Sequence, residues 1–155
     1  MRTTTTSTDA NTNEEEHDET RREKRISHIL RELKIKTGVL RRLSKEREMY
    51  EREVLDFTSR IEKDERIDRN DDDDETNDNN NNNNNARQRK QCLEESKAMV
   101  RDTFVRLEKA FVDLEEFVET LVEGKEDFDV RDEVTGKEEF RLAKEQVERV
   151  KPSLC

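Results

Sequence analysis

Two histidines and two cysteines are the residues of this 155-residue chain whose side chains would announce a metal or a nucleophile. His17 lies in a Glu-rich N-terminal stretch and His28 on the polar face of a predicted helix. Neither has a Cys or second His at ligand spacing. Cys92 and Cys155 are too few and too far apart for a disulfide framework or a metal site, and Cys155, the last residue, is not placed as a C-a-a-X box. Asp127, Asp129 and Glu138 match positions one, three and twelve of a calcium loop. Arg131 and Asp132, however, stand where that loop needs an oxygen ligand and a glycine. Lys36-Thr37-Gly38 lacks the preceding glycines and strand of a nucleotide loop. These patterns predict no catalytic, cofactor-binding or metal-binding residues, and a protein that is not an enzyme.

Charge distribution is more informative. Arg21 to Lys63 carries 14 Lys/Arg against 8 Asp/Glu, a net of +6, while the whole chain is −10. Asp64 to Asn85 holds 2 basic and 9 acidic residues, a net of −7. The basic clusters Arg21-Arg22, Arg41-Arg42 and Arg87-Gln88-Arg89-Lys90 have no interleaved exposed aromatics, and the overall charge opposes a polyanion, so no nucleic-acid partner is expected. Pairs at i,i+4 such as Glu32–Lys36 account for about half of these charges. The remainder suits steering toward an acidic protein surface.

The elements that carry these charges are helical by pattern. Only 28% of the chain is hydrophobic and 46% is charged, near the border of disorder. Two stretches pull the average down: residues 1–19, rich in Thr, Asn and Glu, and the Asp/Asn-rich insert 68–85. Both are expected to be disordered, leaving roughly 115 residues for one small domain. The start shows no signal-peptide pattern, and no apolar run approaches the ~20 residues of a membrane span. A cytoplasmic protein with free thiols and no membrane partner is expected.

Ile26, Leu33, Leu40, Val54 and Ile61 keep one heptad position, and Ile29, Leu43, Tyr50 and Phe57 its partner, with Lys36 and Arg47 as breaks. Thr20 to Glu23 reads as a capping box, predicting a helix over 21–67, roughly 70 Å long at 1.5 Å per residue. Leu93, Val100, Leu107, Leu114 and Leu121 mark a second helix, 86–123. Flanking Met99, Phe104, Ala110, Phe111, Phe117 and Val118 widen its stripe enough for two neighbours. Asn85 is its expected cap and Gly124 its stop. A third helix, 136–151, follows from Phe140, Ala143, Val147 and Val150, with Thr135 to Glu138 as its capping box and Pro152 as its stop. Residues 125–134 read as a linker, with room for a short helical turn, and 152–155 as a tail. The predicted fold is all-α, an antiparallel three-helix bundle over 20–151 with coiled-coil-like contacts, turning at the insert. Tyr50 and Phe57 are expected in its core. Gly38, mid-helix at a cost of about 1 kcal/mol relative to Ala, implies either close approach of the second helix near Leu114 or Phe117, or a functional contact.

Leu33 to Glu53, LKIKTGVLRRLSKEREMYERE, closely resembles the start of the tubulin-specific chaperone A family, also called tubulin-folding cofactor A. The matching elements are Lys34 to Val39, Arg41-Arg42-Leu43, Lys45-Glu46 and Tyr50 to Glu53. Leu93 to Leu114 is similar to the family's second helix and Glu138 to Lys151, weakly, to its last. The likeness covers about 90 residues in the right order. Arg101 stands where family members often carry proline, and the Thr-rich start, the insert and the residues around Asp127 to Thr135 are additions.

The resemblance implies a protein that captures quasi-native β-tubulin after chaperonin release and passes it toward heterodimer assembly without hydrolysing nucleotide. It implies work alongside other tubulin-folding cofactors, in the cytoplasm and associated with the cytoskeleton, as a monomer or weak homodimer. The outer faces of the long helices are then the expected partner-binding surface: Lys34, Lys36, Arg41, Arg42, Lys45, Glu46 and Glu53 on the first, and Glu94, Glu95, Arg106 and Glu108 on the second. A coiled-coil scaffold or trafficking adaptor without tubulin binding is the alternative from another class.

Overall fold

The structure, a computed structural model, describes residues 9–68, 79–124 and 127–154. Among these residues there is no strand. Four helices follow in order: α1 (Asp9–Asp68), α2 (Asn79–Glu123), α3 (Phe128–Thr135) and α4 (Glu138–Leu154). The expectation of three helices is therefore corrected to four. The addition is α3, in the stretch read as a linker. Eight residues with one apolar pair at i,i+4, Val130 and Val134, are too short to show a helical period.

Element ends also differ from the sequence reading. The Thr20 hydroxyl donates to the Glu16 carbonyl inside α1, at 2.8 Å, so Thr20 is an interior residue and not a cap. Helix α2 begins ahead of Asn85. Gly124 does end it, in the left-handed region at φ +79°. The Thr135 hydroxyl turns back to Asp132 O at 3.2 Å rather than capping α4, which starts on Glu138 and Glu139, acidic residues suited to a helix N-terminus. Pro152 sits within the last turn of α4 instead of terminating it. Of the stretches 1–19 and 68–85, expected to be disordered, residues 9–19 and 68 are helical as part of α1 and residues 79–85 as part of α2, which corrects the expectation there. Residues 1–8 and 69–78, and the thiol of Cys155, lie outside the described residues.

The chain divides into two compact units. One combines residues up to Val39 with those from Phe111 onward, and therefore parts of all four helices. Its core takes Ile26, Ile29 and Leu33 from α1 and Phe111, Leu114, Val118 and Leu121 from α2. Val130 and Val134 come from α3, and Phe140, Ala143 and Val150 from α4, with Gln146 the buried polar member. Leu33 and Leu114 are fully buried, each burial worth about 1.5–3 kcal/mol. Polar pairs close its rim. Arg22 reaches Glu133 of α3 at 3.2 Å, Arg25 reaches Asp127 at 2.9 Å, and Lys151 of α4 reaches Glu115 of α2 at 3.1 Å.

The other unit, Leu40–Ala110, is built from the remaining parts of α1 and α2. Arg47 lies over the Phe104 ring, Ser96 donates to Glu53 at 3.3 Å, and Arg89 pairs with Asp64. Numbers rise along α1 as they fall along α2, so the two segments run antiparallel. Leu40, Leu43 and Leu107 are its buried apolar side chains, joined by Ser96 and Thr103. Tyr50 and Phe57, expected in the core, are only half-buried. Two helices cover one flank of a seam, and a third is needed to close the other.

Candidate functional site

The residues expected to bind a partner divide by what their charges already do. Lys34, in the first unit, is exposed and has no polar partner among the described residues. Lys36, two residues on, points inward: its ammonium donates to Asp113 Oδ2 at 2.6 Å and lies 5.4 Å from the Phe117 ring centroid. With its side chain 24% exposed, Lys36 serves the fold. The seam break at this position is thus a lysine with its stem laid over an aromatic face.

In the second unit, Arg41, Arg42 and Lys45 are all exposed within little more than one turn of α1. Arg41 and Lys45 have no partner among the described residues, and Arg42 makes a loose 3.5 Å pair with Glu46. Lys45 lies four residues after Arg41 and three after Arg42, the spacings that make helical neighbours, so the three exposed cations form a patch. Glu53 is drawn inward by Ser96. Arg47, the second seam break, places its guanidinium carbon 4.9 Å from the Phe104 centroid while its Nε donates to Glu51 at 2.8 Å. A half-buried stem with a paired head is snorkelling, which accommodates a charge at a seam position.

On α2, Glu94 and Glu95 are exposed and paired along their own helix. Lys97 donates to Glu94 at 2.8 Å and Gln91 to Glu95 at 3.0 Å. The hydrogen bond and charge of Lys97 hold the Glu94 carboxyl below the usual carboxylate range. Arg106 lies 3.7 Å from Asp102, and Glu108 is exposed and without a partner among the described residues. The structure thus presents Lys34, Arg41, Arg42, Lys45 and Glu108 outward and ties Lys36 and Glu53 into the fold.

The sequence reading did not single out the exposed apolar neighbours of these charges. Leu55 is 70% exposed on α1 and Val105 63% on α2. Both lie off the heptad positions, which is the signal that could have marked them as outward. Arg31, one helical turn before Lys34, is another exposed cation without a partner among the described residues.

Gly38 corrects an expectation. A methyl built there meets nothing within 4 Å, so no close approach of α2 demands a glycine. No group of three or more His, Cys, Asp or Glu side chains among the described residues is arranged to hold a metal. No helix among them is long and apolar enough to cross a membrane. His28 is exposed, 3.8 Å from Glu32, and Cys92 is a half-buried free thiol.

An arrangement of long helices with charged outer faces and apolar inner seams can hold a protein partner, and it recurs in known proteins. Residues 28–147 match the family model described as tubulin binding cofactor A. A mouse protein named tubulin-specific chaperone A is 36% identical over 91 residues, 59% of this chain and 73% of its own length. Its chicken counterpart is 34% identical over 122 residues, 79% and 93% respectively. The solved structure of human tubulin chaperone cofactor A aligns with 79% of this chain and 98% of its own, at a TM-score of 0.56 and 32% identity. That of tubulin folding cofactor A from Arabidopsis thaliana aligns with 81% and 98%, at 0.57 and 27%. This chain belongs to the tubulin binding cofactor A family.

Proposed function

We propose that the chain is a tubulin-folding cofactor acting on β-tubulin. It captures the quasi-native monomer released by the cytosolic chaperonin and holds it against the outward faces of α1 and α2. It then passes it on toward heterodimer assembly, alongside other tubulin-folding cofactors and without nucleotide hydrolysis. Family membership supplies the class of client. The observation that carries the mode of binding is the outward patch of Arg41, Arg42 and Lys45, whose positive charge is left largely unmatched within a chain of net charge −10. Desolvating such a patch is favourable only against a complementary acidic surface, and long-range attraction raises the rate of encounter.

The test is the triple variant Arg41→Glu, Arg42→Glu, Lys45→Glu. Its side chains face solvent, so helicity and melting should stay close to wild type. Capture of β-tubulin at low salt should fall by about tenfold or more, mostly in the association rate. Unchanged affinity at low salt removes the patch from the binding face.

A further inference from the structure

Gly38 has no structural reason to be glycine, and that observation points outward. A glycine inside a helix costs about 1 kcal/mol relative to alanine, because the unfolded chain gives up more freedom there. Three internal reasons could justify it, and none applies. Gly38 does not need the left-handed region, since the positive-φ glycine among the described residues is Gly124. It does not make room for a neighbouring helix, since an added Cβ finds open space. It does not end an element, since α1 continues to Asp68.

The surroundings say what could use a bare backbone. Arg31, Lys34 and Ile35 precede Gly38 by seven, four and three residues, so all four lie on one face of α1 and within one compact unit. Arg31 and Lys34 are exposed cations with no partner among the described residues, and Ile35 is 55% exposed. The bare, half-exposed backbone at Gly38 is thus flanked by one apolar side chain and two unmatched positive charges.

We propose that this face seats an acidic segment of the client, whose chain comes against α1 at Gly38 while its carboxylates meet Arg31 and Lys34 and an apolar side chain covers Ile35. The proposal deepens the tubulin-cofactor reading and rests on it for the identity of the client. The glycine is then a binding residue: helix stability is given up so that a partner can approach more closely than a methyl group allows.

The experiment is Gly38→Ala in the full chain, with thermal melting and binding to β-tubulin measured together. Melting should rise by about 3 °C, as removal of a helix-interior glycine predicts. Binding should weaken by about tenfold, a loss confined to a variant that is more stable than wild type. Unchanged binding overturns the seat. A lowered melting temperature also overturns it, because the glycine would then be required internally. A wild-type chain that fails to bind β-tubulin defeats the cofactor reading. The seat is judged separately by titrating a synthetic Glu-rich peptide containing leucine at low salt and following backbone amide shifts. Shifts at Arg31 to Gly38 that diminish in Gly38→Ala keep an acidic partner at this face. Shifts absent from those residues overturn it.

Discussion

The ammonium of Lys36 stands 2.6 Å from the carboxylate of Asp113, joining α1 to α2 within one unit. Lys36 lies in the run where the family resemblance implies partner binding, yet its charge is already matched. Lys36→Met keeps the stem against Phe117 and removes the ion pair. Because the pair is partly solvated, urea unfolding should show a loss of only about 1 kcal/mol or less. Client binding should change far less than in the Arg41, Arg42, Lys45 triple variant, and an equal loss would return Lys36 to the binding face.

Thr37 Oγ1 is buried and has no hydrogen-bond partner. The helical residues Thr58, Thr103 and Thr120 all donate to the carbonyl four residues back, at 2.7, 2.6 and 2.8 Å. A buried hydroxyl without a partner retains its desolvation cost, and valine matches its shape. Thr37→Val should therefore stabilise the chain by about 1 kcal/mol in chemical denaturation. A loss of similar size would show that the hydroxyl is satisfied in solution.

Gly124 is the opposite of Gly38. Its φ is +79°, and a Cβ there would come within 2.6 Å of the Arg131 guanidinium, which itself lies over the Phe128 ring at 5.0 Å. Gly124→Ala should destabilise by about 1–2 kcal/mol, from left-handed strain and displacement of Arg131. The two glycine-to-alanine variants should move the melting temperature in opposite directions.

Glu94 should titrate below ordinary glutamates when followed by NMR, because Lys97 donates to its carboxylate. A depressed carboxyl stabilises the fold above its unfolded pKa, and that contribution disappears as pH falls through the lowered folded value. On this exposed residue the effect reports the local pair more than global stability. Lys97→Ala should raise the Glu94 titration toward the usual range; an unmoved titration would show that the pair does not persist in solution.

The heptad seam was legible where the structure closes it. Ile26, Ile29, Leu33, Leu40 and Leu43 are buried as their spacing implies, and so are Leu107, Leu114 and Leu121 on α2. Beyond Leu43 the same pattern predicted a core that is half-closed, because periodicity names the inward face but not how many neighbours will cover it. Helix α3 was hidden by its length. The start of α1 was hidden because a Thr-x-x-Glu pattern fits a helix interior as well as a cap. Among the proposed binding residues, exposure followed from position for Lys34, Arg41, Arg42 and Lys45. The inward roles of Lys36 and Glu53 required Asp113 and Ser96, which are remote in sequence. Gly38 was visible as an anomaly, but composition cannot tell empty space from a touching neighbour.

The uneven burial of apolar side chains has a dynamic consequence. From Arg47 to Ile67 on α1, and among the described side chains of α2 before Leu107, no hydrophobic side chain is fully buried, and the ion pairs Arg89–Asp64 and Lys90–Glu65 cross between the helices near their far end. Segments held this way open locally at a fraction of the global free energy. Amide exchange should therefore be fastest toward Ile67 and Ala86, quicken with added salt, and slow progressively toward Leu43 and Leu107. That end of the two-helix unit is then expected to splay and re-form without disturbing the residues nearer Leu40, a pliability that would let it mould itself to the proposed client.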